Sequence, residues 1–174
     1  MKKFIIPFIF IGFFNSCMSK SETKVQVGSQ LPKFTLKDDK GADYSPSQWI
    51  GEKYVVIYFY PKDDTPGCTA QACSIRDGQE ALVAAGVHVI GISADSVASH
   101  TKFVNKYDLN FPLISDTDKL IIQQFGVWGT KKFMGRVYDG IHRMTFIFDE
   151  AHTLIKVLEK PNTKDHANEV LSCY

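Results

Sequence analysis

Four cysteines are the most reactive side chains of this 174-residue chain, at positions 17, 68, 73 and 173. Cys68 and Cys73 stand close together in TPGCTAQACS, a short step after the apolar run YVVIYFY, Tyr54 to Tyr60. A continuous β-branched and aromatic run reads as a strand buried on both faces. The segment that follows, CTAQACSIRDGQEALVAA, consists largely of helix formers and has no proline, so it reads as one helix. Cys68 is thereby expected in the first turn of a helix. There, unpaired backbone N–H groups and the positive end of the helix dipole favour a thiolate, which is a nucleophile and a redox centre. The plainer reading is a buried structural cysteine packing as a small hydrophobe. The Pro66-Gly67 turn ahead of Cys68, and the second cysteine behind it, weigh against that.

The elements that must position this thiol follow from the rest of the pattern. Phe34 to Leu36 and Asp43 to Ser45 flank the polar turn DDKG and read as a short hairpin. Gly86 to Ser93 is a second buried strand, and strand, helix, strand makes a right-handed parallel crossover. Ser96 to Tyr107 and Asp116 to Phe125 read as helices opened by capping residues. Met144 to Phe148 and Leu154 to Leu158 are strands about the turn DEAH, and a helix from about Thr163 to Leu171 closes the chain. A βαβ unit followed by a hairpin and a terminal helix is the pattern of a thioredoxin-like α/β fold, a central mixed β-sheet flanked by helices. Such sheets carry their chemistry where a strand ends and a helix begins.

Composition narrows the function classes. The chain is 44% hydrophobic and 22% charged with a net charge of +1, which suits one globular domain and offers no basic stripe for a nucleic acid. His88, His100, His142, His152 and His166 are scattered, and none shares metal spacing with the cysteine pair. They read as surface or core residues, and neither metal nor cofactor is expected.

The stretch YFYPKDDTPGCTAQACSIRD resembles peroxiredoxins of the bacterioferritin-comigratory-protein, or PrxQ, type. Pro61, Thr65 and Cys68 match the active-site pattern of that family, and the block FGVWGTKKFMGRVYDGIHRMTFIFD is similar as well. The similarity runs from about Val27 to the C-terminus. It implies a thiol peroxidase of the peroxiredoxin variant of the fold. Cys68 would attack a hydroperoxide and become a sulfenic acid, and Cys73, at the resolving position, would close a Cys68–Cys73 disulfide. A thioredoxin-like dithiol protein would re-reduce it, the role being antioxidant defence.

Full ionisation of an ordinary thiol at pH 7 multiplies the nucleophile only about 30-fold. The remaining acceleration must come from groups that align the peroxide and stabilise charge as the O–O bond breaks. Thr65 could take the peroxide proton and donate to an oxygen, although a helix cap is its plainer role. Pro61 and Pro66 are expected to shape the loop that shields the thiolate. Of the three arginines, the resemblance maps the active-site cation to Arg143, at the entry of the third core strand. Arg76 reads as a solvated helix residue, Arg136 as a loop residue, and Asp63 and Asp64 as a solvated loop. Trp128, Phe133 and Met134 are expected to form an apolar wall or loop near the pocket. Cys173, next to the last residue, reads as incidental.

The N-terminus carries a different signal. Lys2 and Lys3 precede an apolar run from Phe4 to Phe14, then Asn15, Ser16 and Cys17. A run of about 11 residues is too short to cross a bilayer, which needs about 20, but suits a secretory signal. Residues 1–17 are therefore expected to be a lipoprotein-type leader that lipidates Cys17, residues 18–26 a polar tether, and residues 27–174 the peroxiredoxin domain. That would anchor the protein to the membrane of a bacterial envelope. An internal resolving cysteine makes a monomer sufficient. The rival readings are an envelope thiol-disulfide oxidoreductase, which would space its cysteines by two residues rather than four, and a peroxide-sensing redox lipoprotein.

Overall fold

The structure is a computed structural model that describes residues 25–49, 51–133 and 135–174. The leader 1–17 with Cys17, most of the 18–26 tether, and Met134 lie outside the described residues.

Among the described residues nine strands follow in chain order: β1 (Leu36–Asp38), β2 (Asp43–Tyr44), β3 (Tyr54–Phe59), β4 (Val87–Ser93), β5 (Leu113–Ser115), β6 (Trp128–Phe133), β7 (Arg136–Ile141), β8 (Met144–Asp149) and β9 (Leu154–Leu158). The helices are α1 (Pro66–Asp77), α2 (Gln79–Ala84), α3 (Val97–Tyr107), α4 (Leu120–Gln124) and α5 (His166–Leu171). Seven strands make one mixed sheet in the order β2-β1-β5-β4-β3-β8-β9, and β6 pairs with β7 in a separate ribbon. This is the thioredoxin-like α/β arrangement that the resemblance implies.

β3 lies at the heart of the sheet, parallel to β4 and antiparallel to β8. Its side chains alternate between two cores. Val55, Ile57 and Phe59 pack with Phe125, Phe146 and Phe148 on one face, and Val56 and Tyr58 with Ile75, Phe103 and Val170 on the other. Burying one such side chain fully contributes about 1.5–3 kcal/mol. The continuous apolar run of β3 is thus the sequence image of a strand covered on both sides.

Several elements differ from the sequence expectation. The helix expected from residue 68 to 85 is two helices joined at Gly78, whose φ and ψ are −90° and 1°. Glycine is a poor helix former, and α5 leaves no room for a side chain there: a Cβ on Gly78 would sit 2.4 Å from the Cβ of Ala167. The helix expected from Asp116 starts at Leu120, and the Asp116 carboxylate instead accepts from the N–H groups of Leu120 and Ile122. β5 is a strand that the pattern did not announce. The segments expected as the wall at Trp128 and Phe133 and as the Arg136 loop are the paired strands β6 and β7, with Arg136 exposed at the start of β7. The hairpin about DDKG is present, with its first strand two residues later than expected.

Candidate active site

The site forms where β3, β8 and α1 converge. After Phe59 the chain leaves the sheet through Tyr60 and Pro61 and re-enters regular structure at Pro66, the first residue of α1. Proline suits that position because its missing N–H would have no helical partner there. Thr65 is the N-cap, with extended backbone and no capping bond from its side chain. Its hydroxyl donates instead to the carbonyl of Lys62 at 3.0 Å. That leaves the hydroxyl lone pairs to accept a hydrogen bond and leaves the first-turn N–H groups uncapped by Thr65.

Cys68 is the third residue of α1 and only 2% exposed. Its burial is shared along one helix stripe with Gln71, Ala72 and Ile75, the spacing that repeats on one face of a helix. Arg143 lies immediately before β8, and Met144 pairs with Phe59, so the arginine emerges beside the end of β3. From there Nη2 donates to Cys68 Sγ at 3.2 Å. Nη1 donates to Gln71 Oε1, one turn further along α1.

The hydrogen bonds continue inward. Gln71 Nε2 lies 3.1 Å from Nδ1 of His166, and Nε2 of His166 lies 2.9 Å from the hydroxyl of Thr145. Gln71, Thr145 and His166 are all fully buried. Burial first, and then the charge of Arg143, push the His166 pKa down to about 3. Lys131 on β6 adds a second cation near the site, donating to the carbonyl of Ile141 at 2.9 Å. Burial, and after it Arg143, lower its pKa from the usual lysine value.

The loop before Cys68 is tied down from below. Asp63, read from sequence as solvated, is buried: its carboxylate accepts from Tyr60 at 2.8 Å and Ser99 at 2.7 Å and lies 2.9 Å from His100 Nδ1. Partners on α3, far away in the chain, explain the misreading. Asp64 is exposed as expected, although it takes a left-handed φ of 55° and pairs with Lys106 and Tyr107.

Cys68, Arg143, Thr65 and Pro61 are thus gathered at one end of the sheet. Cys73 lies on α1 as well, half-buried and off the Cys68 stripe, and both thiols are free. Ideal helix geometry separates residues five apart by about 8.6 Å between Cα atoms. Cys173 is remote from this arrangement in its bonding, its thiol donating to the carbonyl of Glu169. Arg76 bonds Asp77 and the carbonyl of Tyr107. Trp128 stands on β6 with Lys119 over its ring. Among the described residues, no group of three or more His, Cys, Asp or Glu side chains could hold a metal ion. Gln71, Thr145, His166 and Lys131 were missed by sequence reasoning. Only the place of Gln71 three residues after Cys68 could have suggested one of them.

The AhpC/TSA family model matches residues 27–157. The chain belongs to the AhpC/TSA family. Within that family it is similar to Peroxiredoxin Bcp of Escherichia coli, 44% identical over 148 residues that cover 85% of this chain and 94% of that protein. Peroxiredoxin Bcp of Bacillus subtilis is 42% identical over 147 residues, covering 84% and 93%. Among solved structures, the Xanthomonas campestris bacterioferritin comigratory protein, described for its alkyl peroxide reduction activity, superimposes with a TM-score of 0.74. The two are 33% identical over 80% of this chain and 88% of that one. This AhpC/TSA chain is therefore a peroxiredoxin of the Bcp type.

Proposed function

We propose that the protein is a thiol peroxidase in which Cys68 is the peroxidatic residue and Cys73 the resolving one. The observation that carries this reading is the contact between Arg143 Nη2 and the buried Sγ of Cys68 in the first turn of α1. The Cys68 thiolate attacks the terminal oxygen of a hydroperoxide, the S–O bond forms and the O–O bond breaks. The departing oxygen takes a proton and leaves as water or alcohol. Thr65 Oγ1 accepts a hydrogen bond from the peroxide O–H, its own hydrogen being directed to Lys62, and the peroxide proton passes to the departing oxygen. Arg143 and the first-turn N–H groups stabilise the developing charge. Pro61 and Pro66 hold the loop that keeps water from the thiolate.

The Cys73 thiol then attacks the sulfenic sulfur, the S–S bond forms, the S–O bond breaks and water leaves. A Cα separation of about 8.6 Å exceeds what a disulfide spans, usually below about 6.8 Å. Resolution therefore requires the first turns of α1 to unwind. A thioredoxin-like dithiol supplies the two electrons that restore both thiols, and a single chain suffices for the cycle. The leader ending at Cys17 supports placement in a bacterial envelope with a lipid anchor on that residue.

Stopped-flow mixing of the reduced protein with hydrogen peroxide and with alkyl hydroperoxides tests this. Rapid single-turnover oxidation is expected. Disulfide reductase activity on a protein substrate without peroxide consumption would instead favour a thiol-disulfide exchange protein.

A further inference from the structure

The peroxidase reading uses Cys68, Thr65 and Arg143, yet Arg143 spends its other nitrogen on Gln71, and Gln71 continues to a buried histidine. The direction of each hydrogen bond in that series follows from chemistry alone. A guanidinium only donates, so the Gln71 atom facing Arg143 must be the carbonyl oxygen. The amide nitrogen, which only donates, then faces Nδ1 of His166, so Nδ1 must be an acceptor. A neutral imidazole with Nδ1 bare carries its proton on Nε2, which donates to the hydroxyl of Thr145.

Two further contacts seat His166. The N–H of Ala167 meets the hydroxyl of Ser74 at 3.2 Å, and Ala167 packs against Gly78 with no room for a Cβ. Gln71, Ser74 and the C-cap Gly78 are spaced three and four residues apart, along one face of α1 and its end, and α5 docks its first turn there.

We propose that His166 is a positioning residue of the peroxidatic centre: by accepting from Gln71 it holds that amide so that Oε1 anchors Arg143 and leaves Nη2 on Cys68. The inference rests on the reading of Cys68 as the peroxidatic residue. Without the His166 acceptor, the Gln71 amide is free to rotate, and a flipped amide would turn its N–H₂ against the guanidinium. Arg143 then loses its fixed aim. Protonation of Nδ1 has the same effect, because a second donor would face the amide.

The test compares His166→Leu, which removes the acceptor, with His166→Asn, whose side-chain carbonyl can replace Nδ1. Each is made in the full chain and in a Gln71→Leu background. The readout is single-turnover oxidation by hydrogen peroxide at a pH where the thiol is fully ionised. Iodoacetamide alkylation of Cys68 serves as the control that needs no aligned arginine. His166→Leu should slow the peroxide reaction about 10-fold while alkylation stays within about twofold, and His166→Asn should recover most of the loss. In the Gln71→Leu background His166→Leu should add little, since both act through one bond series. Equal slowing of both reactions, full additivity, or no rescue by asparagine would overturn the proposal.

The tautomer is read in the unmutated protein by ¹⁵N NMR of the imidazole, so the proposal stays testable if His166→Leu does not fold. A proton on Nδ1 at neutral pH overturns it. An unmutated protein that consumes no peroxide while showing the expected tautomer would instead defeat the peroxidase reading.

Discussion

Arg143 and Cys68 are 75 positions apart in the chain, and the guanidinium Nη2 stands 3.2 Å from the thiol sulfur. The pairing is built by the sheet: antiparallel β8 begins where β3 ends, so a residue just ahead of β8 faces the first turn of the helix that follows β3.

Replacing Arg143 by alanine should slow peroxide attack by about 10²–10³-fold, the range seen when one preorganised donor to a transition state is lost. The deficit should persist when rates are compared at a pH where both thiols are ionised. Convergence of the two rates there would mean that Arg143 governs only the thiolate population.

In the proposed cycle the two cysteines serve separate steps, so their variants should separate. Cys68→Ser should abolish single-turnover oxidation. Cys73→Ser should keep that first oxidation and lose sustained turnover with a dithiol protein reductant. Mass spectrometry should then find a sulfenic acid on Cys68, and equal single-turnover rates in Cys68→Ser and the unmutated protein would reject the assignment.

Amide hydrogen exchange across residues 68–73 should be slow in the reduced protein and fast after disulfide formation, because Cys68 and Cys73 cannot join on an intact helix. A mapped Cys68–Cys73 disulfide with protection unchanged would refute the unwinding.

His166 makes stability depend on pH. Its folded pKa is lowered by burial to about 3, whereas an unfolded histidine titrates near about 6.5. The unfolded chain therefore takes up a proton in a range where the folded chain does not. The stability at stake is complete above about pH 6.5 and is lost progressively as the pH falls towards 3. By pH 5 the loss amounts to about 2 kcal/mol. Urea unfolding at pH 7 and pH 5 should show a larger drop for the unmutated protein than for His166→Asn, and equal drops would contradict it.

The proposed membrane anchoring turns on one residue, Cys17. Cys17→Ala should remove incorporation of a labelled fatty acid in a bacterial host and release the protein from the membrane fraction. Retained labelling would reject the lipoprotein reading.

The sheet was largely legible because its central strands write burial directly into residue type: β3, β4, β8 and β9 all lie in apolar or alternating runs. So was α3, whose N-cap Ser96 accepts from the N–H of Ser99. β5 is only three residues long, too short for any period to emerge. The β6–β7 ribbon is mostly polar and exposed, and pairs through its backbone, which leaves no hydrophobic alternation to read. The break at Gly78 was hidden for another reason. The residue that requires a glycine there is Ala167, in a helix at the other end of the chain. The same holds for the site: the loop from Pro61 to Cys68 announced itself locally, while Gln71, His166 and Asp63 owe their roles to partners that only folding supplies.

The division of the helical segment at Gly78 bears on how fast the enzyme recovers. Starting a helix from coil is the costly step, whereas adding residues to an existing turn is not. Ser74 and Gly78 stay pinned to α5 by contacts that the opening of the first turns does not touch. The last turn of α1 can therefore remain as a template. Once the disulfide is reduced, residues 66 to 73 have only to add to it, at about nanoseconds per residue. In the proposed cycle the peroxidatic geometry is thus restored by elongating an existing turn rather than by nucleating a new helix.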